Sequence, residues 1–138
     1  SAKKFIENVK LKKDADFIIV DIHGEITSEK MAMGYLFDGK VTMLVGTHTH
    51  VPTSDHRIME KGTAYQTDIG MCGDYNSVIG MNRDNSLKKF FKDPSATKHY
   101  PALGEATISG LMVIADDKTG LANKVEPIVL GALLENRI

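Results

Sequence analysis

His48 and His50 stand two residues apart behind an apolar run, Val41 to Val45, with Pro52 closing the stretch. Along an extended backbone, residues i and i+2 point the same way, roughly 6–7 Å apart at strand rise. That spacing lets each imidazole serve a different ion of a two-metal site, whose ions sit about 3.5–4 Å apart. A pair of polar residues in a surface turn is the competing reading of the same motif, and a bare His-x-His does not choose between them. The choice depends on what the rest of the chain brings alongside.

The elements that must position these residues come earlier. Residues 3–12 predict a short helix with Phe5, Ile6 and Val9 on one face. Phe17-Ile18-Ile19-Val20-Asp21-Ile22 is a β-branched run of the kind found in strands buried on both faces, and it ends at His23-Gly24-Glu25. Thr27 or Ser28 is placed to cap the next helix, with Glu29 in its first turn, a stripe of Met31, Ala32, Tyr35 and Leu36, and Gly39 as its stop. A strand over Val41–Val45 completes a strand–helix–strand unit. If the two strands are parallel neighbours, the crossover is right-handed and both end on one edge of the sheet, where α/β proteins gather ligands. His23 then joins His48 and His50 at that edge, and this convergence favours the metal reading.

The remainder changes character. Lys61-Gly62 predicts a hairpin between residues 57–60 and 63–67, and a glycine-rich loop follows from Asp68 to Asp74. Asp84-Asn85-Ser86 can cap a helix running to Phe91 before Asp93-Pro94. Two alternating strands, about 105–115 and 121–130, flank the turn Asp116-Asp117-Lys118-Thr119-Gly120, and Ala132-Leu133-Leu134 is expected to pack as an apolar end. The expected architecture is a single domain over residues 1–138 with an α/β front and a mostly antiparallel back.

Composition limits the function classes. The chain has 138 residues and a formal net charge of -1 without a basic block, so it gives no field for tracking a nucleic-acid duplex or an anionic membrane. No apolar run approaches the roughly 18 residues a spanning helix needs. Its one cysteine, Cys72, excludes an internal disulfide and fits a reducing, cytoplasmic compartment. Ser28 and Cys72 are the available nucleophiles for a hydrolase triad, but neither lies in a nucleophile-elbow pattern, and Cys72 is expected to be a small packing residue. His56 and His99 are expected to be solvated. Asp21 is expected to be buried and structural, and Glu25 fits a partner for an imidazole N–H. Asp68 fits a turn former or a functional carboxylate equally.

Gly46-Thr47-His48-Thr49-His50-Val51-Pro52 resembles the last metal-binding motif, Gly-x-His-x-His, of the calcineurin-like metallophosphoesterases. The run from Val20-Asp21-Ile22-His23-Gly24-Glu25 to Lys30 is similar to the corresponding segment of the YmdB-like group of 2′,3′-cyclic-nucleotide phosphodiesterases. The likeness continues through residues 62–71 and 74–81, Gly104-Glu105-Ala106 and the turn at 116–120. Gly24 and Ile22 stand where that group has Ala and Phe.

The resemblance implies an α/β fold, the C-terminal half of a metallophosphoesterase αββα two-sheet sandwich. It implies that His23 and His48 bind one ion and His50 the other of a dinuclear centre, with iron or manganese expected and zinc an option. The implied activity is hydrolysis of cyclic nucleotides or related phosphodiesters. The family's N-terminal aspartate, bridging Glu-Asn pair and Gly-Asn-His have no counterpart here. This chain is therefore expected to contribute part of a metal site, to be inactive alone, and to pair with an N-terminal half or self-associate across an open sheet edge. Two alternatives remain: a non-catalytic metal-binding or self-associating fragment, and a one-metal hydrolase using Glu25 as a ligand near His23.

Overall fold

The structure is a computed structural model that describes residues 2–131, 133, 134 and 136. Its elements in chain order are α1 (Ala2–Asn8), β1 (Ile19–His23), α2 (Thr27–Phe37), β2 (Met43–Thr47), β3 (Arg57–Ile58), β4 (Ala64–Gln66), α3 (Arg83–Phe90), β5 (Thr107–Ala115) and β6 (Ala122–Gly131). The first sheet runs β1-β2-β4-β3, with β1, β2 and β4 parallel and β3 antiparallel to β4; β5 and β6 form a second, antiparallel sheet. The strand–helix–strand unit and both hairpins stand where the sequence pattern puts them.

Register explains the layering. Ile19 pairs with Met43 and Met43 with Ala64, so the residues between them, Val20, Leu44 and Tyr65, share the opposite face. On that face Leu44 and Tyr65 are fully buried with Phe37, Ile6, Ile18, Val41 and Met59 in one core beneath the helices. On the other face β6 packs against β3 and β4, which stacks the two sheets. Among the described residues no helix is long and apolar enough to cross a membrane.

Several expectations are corrected. Helix α1 stops at Asn8 rather than residue 12, because the Asp14 carboxylate accepts the Lys10 N–H at 2.8 Å and draws the chain into a turn. Strand β1 is not buried on both faces: it is an edge strand paired only with β2, and Ile19 is 67% exposed. Helix α2 has Ile26, not Thr27 or Ser28, at its N-cap, with no side-chain cap. Its buried face is Lys30, Gly34 and Phe37, while Tyr35 is 67% exposed. Gly34 is needed there, since a Cβ would lie 2.8 Å from the Tyr65 ring. Helix α3 is capped by Asn82, whose side chain accepts the Asn85 N–H, rather than by the Asp84-Asn85-Ser86 run. In the tail, Leu133 is exposed and Leu134 lines a cleft against Pro127 and Val129; residue 132 lies outside the described residues.

Gly46 has no room for a side chain. A Cβ there would overlap the Thr67 carbonyl oxygen and press on the Lys30 side chain. Gly46→Ala should therefore destabilise the fold by about 1–3 kcal/mol, the usual range for overpacking, read as a lowered melting temperature in thermal denaturation.

Candidate metal centre

β1 and β2 end side by side, with His23 opposite Thr47 in the parallel register. The strand stops at Thr47, and the backbone then turns through positive φ at both His48 (123°) and His50 (66°). These are conformations that non-glycine residues adopt only where the surroundings impose them. The expectation of an extended His-x-His with both rings pointing one way is thus corrected. His48 turns back to His23, with ring centroids 5.0 Å apart, whereas His50 turns to Ile79.

The turn is held from below by a buried ion pair. Lys30 Nζ lies 2.9 Å from Asp68 Oδ2, and both side chains are essentially inaccessible to solvent. The same carboxylate oxygen accepts the backbone N–H of Thr49, between the two histidines, at 3.0 Å, and Oδ1 accepts the Gly70 N–H at 2.9 Å. Burial alone would raise the Asp68 carboxyl. The donors from Thr49, Lys30 and Gly70 outweigh it and hold the group below its ordinary 3.8. Asp68 is thereby both a turn former and the anchor of the histidine loop.

Hydrogen bonds decide which ring nitrogens are free. Thr47 Oγ1 donates to Asp21 Oδ1 at 2.8 Å, so its one proton is used. The contact between Thr47 Oγ1 and His23 Nδ1, at 3.0 Å, then requires the imidazole to donate. That leaves His23 Nε2 as a bare lone pair. His48 Nε2 sits 3.1 Å from Glu25 Oε2 and donates to it, so in the neutral ring the lone pair is on Nδ1. His48 Nδ1 and His23 Nε2 lie 3.2 Å apart, within hydrogen-bond distance, so either a shared proton or a cation can occupy the gap between them. Two nitrogens bound at about 2.0–2.1 Å to one tetrahedral ion lie about 3.3–3.4 Å apart, so the pair fits two ligands of a single cation. His50 Nδ1 donates to the Ile79 carbonyl at 2.7 Å, and its Nε2 is the free nitrogen. Each ring therefore has one N–H fixed by the protein and one nitrogen left for a ligand, the arrangement that outer partners impose on metal-binding histidines.

All three predicted histidines lie at the carboxyl ends of β1 and β2, His23 as the last residue of β1, but only His23 and His48 are in contact. Among the described residues no three His, Cys, Asp or Glu side chains come together around one point. Glu25 contacts His48, which in turn lies against His23. Asp21 is hydrogen-bonded as expected but exposed rather than buried. Thr47, Lys30 and Ile79 were missed; the position of Thr47 before the first histidine was the one local signal. Cys72 is exposed rather than packed, with its Sγ 3.5 Å from the Ser109 carbonyl. His99 is exposed, while His56 is half-buried with its Nδ1 shut from solvent and unpartnered among the described residues, so its expected solvation is corrected.

A stacked pair of sheets carrying ligand-ready histidines at a parallel-strand edge defines one half of a two-sheet α/β sandwich. The sequence profile of the YmdB-like protein family matches residues 1–128, and the chain belongs to that family. It is 45% identical over 118 residues to the 2′,3′-cyclic-nucleotide 2′-phosphodiesterase of Bacillus subtilis, covering 86% of this chain and 44% of that protein. It is 44% identical over 126 residues to a putative phosphatase/phosphodiesterase of Mycoplasma pneumoniae, covering 91% of this chain and 44% of that protein. Among solved structures, a novel phosphatase from Mycoplasma pneumoniae superposes with a TM-score of 0.81 at 42% identity, over 94% of this chain and 46% of that one. A hypothetical protein from Thermus thermophilus gives 0.80 at 36% identity, over 93% and 48%. The chain thus spans about half the length of the relatives it matches.

Two outcomes follow from this geometry. Thr47→Val removes the acceptor that fixes the His23 tautomer, and metal affinity measured by calorimetry should fall about 10- to 100-fold, the usual effect of losing such a partner. Asp68→Asn strands the Lys30 ammonium in the core and should cost about 3–5 kcal/mol in chemical denaturation. In the unaltered chain the Asp68 carboxyl is lowered on folding, so its stabilisation is present above pH 3.8 and is lost as pH falls through the lower folded value. A melting-temperature profile should show this acid limb, and Asp68→Asn should flatten it.

Proposed function

We propose that the protein containing this chain is a dinuclear metal-dependent phosphodiesterase that hydrolyses 2′,3′-cyclic nucleotides or related phosphodiesters. The observation that carries this reading is the proton arrangement of the three histidines. His23 Nε2 and His48 Nδ1 face each other at 3.2 Å with their other ring nitrogens held by Thr47 and Glu25, and the Ile79 carbonyl holds His50 by Nδ1, leaving its Nε2 for a ligand. The name of the Bacillus subtilis relative supplies the substrate class. Iron or manganese fits the donor set, as does zinc.

When bound, the ions would polarise the phosphodiester and lower the pKa of a bound water. The chain's own residues hold the geometry. Asp21 and Thr47 fix one ring, Glu25 the second and the Ile79 carbonyl the third, so no reorientation is needed as ligands arrive. Hydrolysis consumes one water: it adds to phosphorus, one ribose P–O bond breaks, and the departing oxygen takes up the proton. Three imidazoles bring no anionic bridge between two ions, so the remaining ligands come from an N-terminal half, and the 138 residues alone are inactive. The open edge at β1 is where that half pairs. A second reading, a single-ion binding module, is favoured by one feature: the His23–His48 pair is complete within this chain.

The test compares the intact protein with the 138-residue chain, both purified without chelators. The intact protein should carry about two metal ions by elemental mass spectrometry and hydrolyse a 2′,3′-cyclic nucleotide, with His48→Ala abolishing turnover. The short chain should hold at most one ion and show no turnover. Robust turnover by the short chain would overturn the half-site proposal, and full activity of His48→Ala in the intact protein would overturn the site.

A further inference from the structure

His23 and His48 are held by side chains, whereas His50 is held by the main chain, at the Ile79 carbonyl. Val78 and Met81 exchange both backbone hydrogen bonds, at 3.0 and 2.9 Å, so Ile79 and Gly80 form a two-residue hairpin turn. Both take positive φ, 48° and 88°, as a type I′ turn requires. Asparagine, aspartate or glycine is usual at the first of these positions, and a β-branched residue there is a genuine outlier. Ile79 is also 56% exposed, so burial of its side chain does not offset the backbone cost. The local sequence does not choose this turn; its surroundings impose it.

What they impose is the orientation of one peptide unit. Its N–H, from Gly80, donates to Ser77 Oγ at 2.8 Å, and its carbonyl, from Ile79, accepts from His50 Nδ1 at 2.7 Å. Ser77 Oγ has one proton and gives it to the Asp74 carbonyl. From His50 through the peptide and Ser77 to Asp74, every donor therefore points the same way, and each bond polarises the next. The flanks are pinned as well. The Gly80 carbonyl accepts the Ala102 N–H at 2.9 Å, and the Asp74 carboxylate accepts the N–H groups of Asn76 and Gly104 at 2.7 and 3.0 Å. Because a carbonyl can only accept, the neutral His50 ring carries its proton on Nδ1 and its lone pair on Nε2.

We propose that Ser77 is a positioning residue for His50: its hydroxyl fixes the Ile79–Gly80 peptide, and through that peptide the ring orientation and tautomer that His50 presents to a cation. This rests on the dinuclear phosphodiesterase reading and deepens it, because the two ions are then governed by separate devices. His23 and His48 depend on Asp21, Thr47 and Glu25, close to them in the first strands. His50 depends on a turn in the segment that follows the glycine-rich loop. A change at Ser77 therefore reaches one ion and spares the other.

The experiment uses the intact protein, unaltered and as Ser77→Ala and Ser77→Thr, freed of metal and titrated with manganese by calorimetry. Ser77→Ala should weaken one of the two binding steps by about 10- to 100-fold and leave the other in place. Ser77→Thr, which keeps the hydroxyl, should restore the weakened step. Turnover of a 2′,3′-cyclic nucleotide lost in Ser77→Ala should return as manganese is raised. Proton–nitrogen correlation spectra of the metal-free protein should show His50 as the Nδ1–H tautomer, and as a mixture of tautomers in Ser77→Ala. Equal weakening of both steps together with a large fall in melting temperature would show a merely structural role and overturn the proposal. So would a His50 tautomer indifferent to Ser77→Ala, or an Nε2–H ring in the unaltered protein, a result that needs no variant to fold. If neither manganese nor the cyclic nucleotide is handled as expected but Ser77→Ala still mixes the His50 tautomers, the phosphodiesterase reading fails and the positioning role stands.

Discussion

A lysine and an aspartate shut away from water hold this molecule's chemistry in place. Lys30 rises from the buried face of α2 and Asp68 from the segment after β4, and they meet at 2.9 Å beneath the loop that carries both histidines. Neither charge would be tolerated there alone. Together they bring the helix, the end of the parallel sheet and the glycine-rich loop into one fixed arrangement. The same carboxylate grips the Thr49 backbone, and so the positive-φ turns at His48 and His50 are maintained against their intrinsic cost. Gly46 belongs to this construction: its missing Cβ leaves room for the Thr67 carbonyl and the lysine stem to come close.

Above that base, function depends on where protons sit. The threonine between Asp21 and His23 has a single hydrogen, and giving it to the aspartate forces the imidazole to donate. Glu25 imposes the same discipline on His48, and the Ile79 carbonyl on His50. The outcome is a set of rings at the mouth of the sheet whose orientation is fixed by the protein, as the proposed cation site requires. Such preorganisation is what an electrophilic site requires, since a ring free to rotate would lose affinity to entropy.

Residues 74–104 form an excursion closed by the Asp74–Gly104 hydrogen bond, and its Ile79 carbonyl receives His50. Its helix turns polar side chains inward and aromatic ones outward, the reverse of ordinary burial, and its inner hydrogen bonds are what make the reversal stable.

Much of this was legible in the sequence. The β-branched runs, the Gly62 hairpin and the terminal strand pair announce themselves by local periodicity, and a right-handed crossover is enough to bring His23 to the edge occupied by His48 and His50. The ordered motifs placed the chain in its family. The expectations that failed were those depending on neighbours distant in sequence. An apolar run reads the same whether its strand is central or at an edge, so the exposure of Ile19 was invisible. Lys30 has the sequence signature of a solvated helix face and is buried only because Asp68, 38 residues later, is waiting for it. Asn85 and Ser86 read as a cap and turned out to be an interior, because Thr97 and Lys98 fold back over them. Sequence alone determined which residues could carry the chemistry, since that follows from residue type and short-range spacing. Tertiary structure alone decided which nitrogens are free, because a tautomer is set by partners that only the folded chain brings within hydrogen-bond reach.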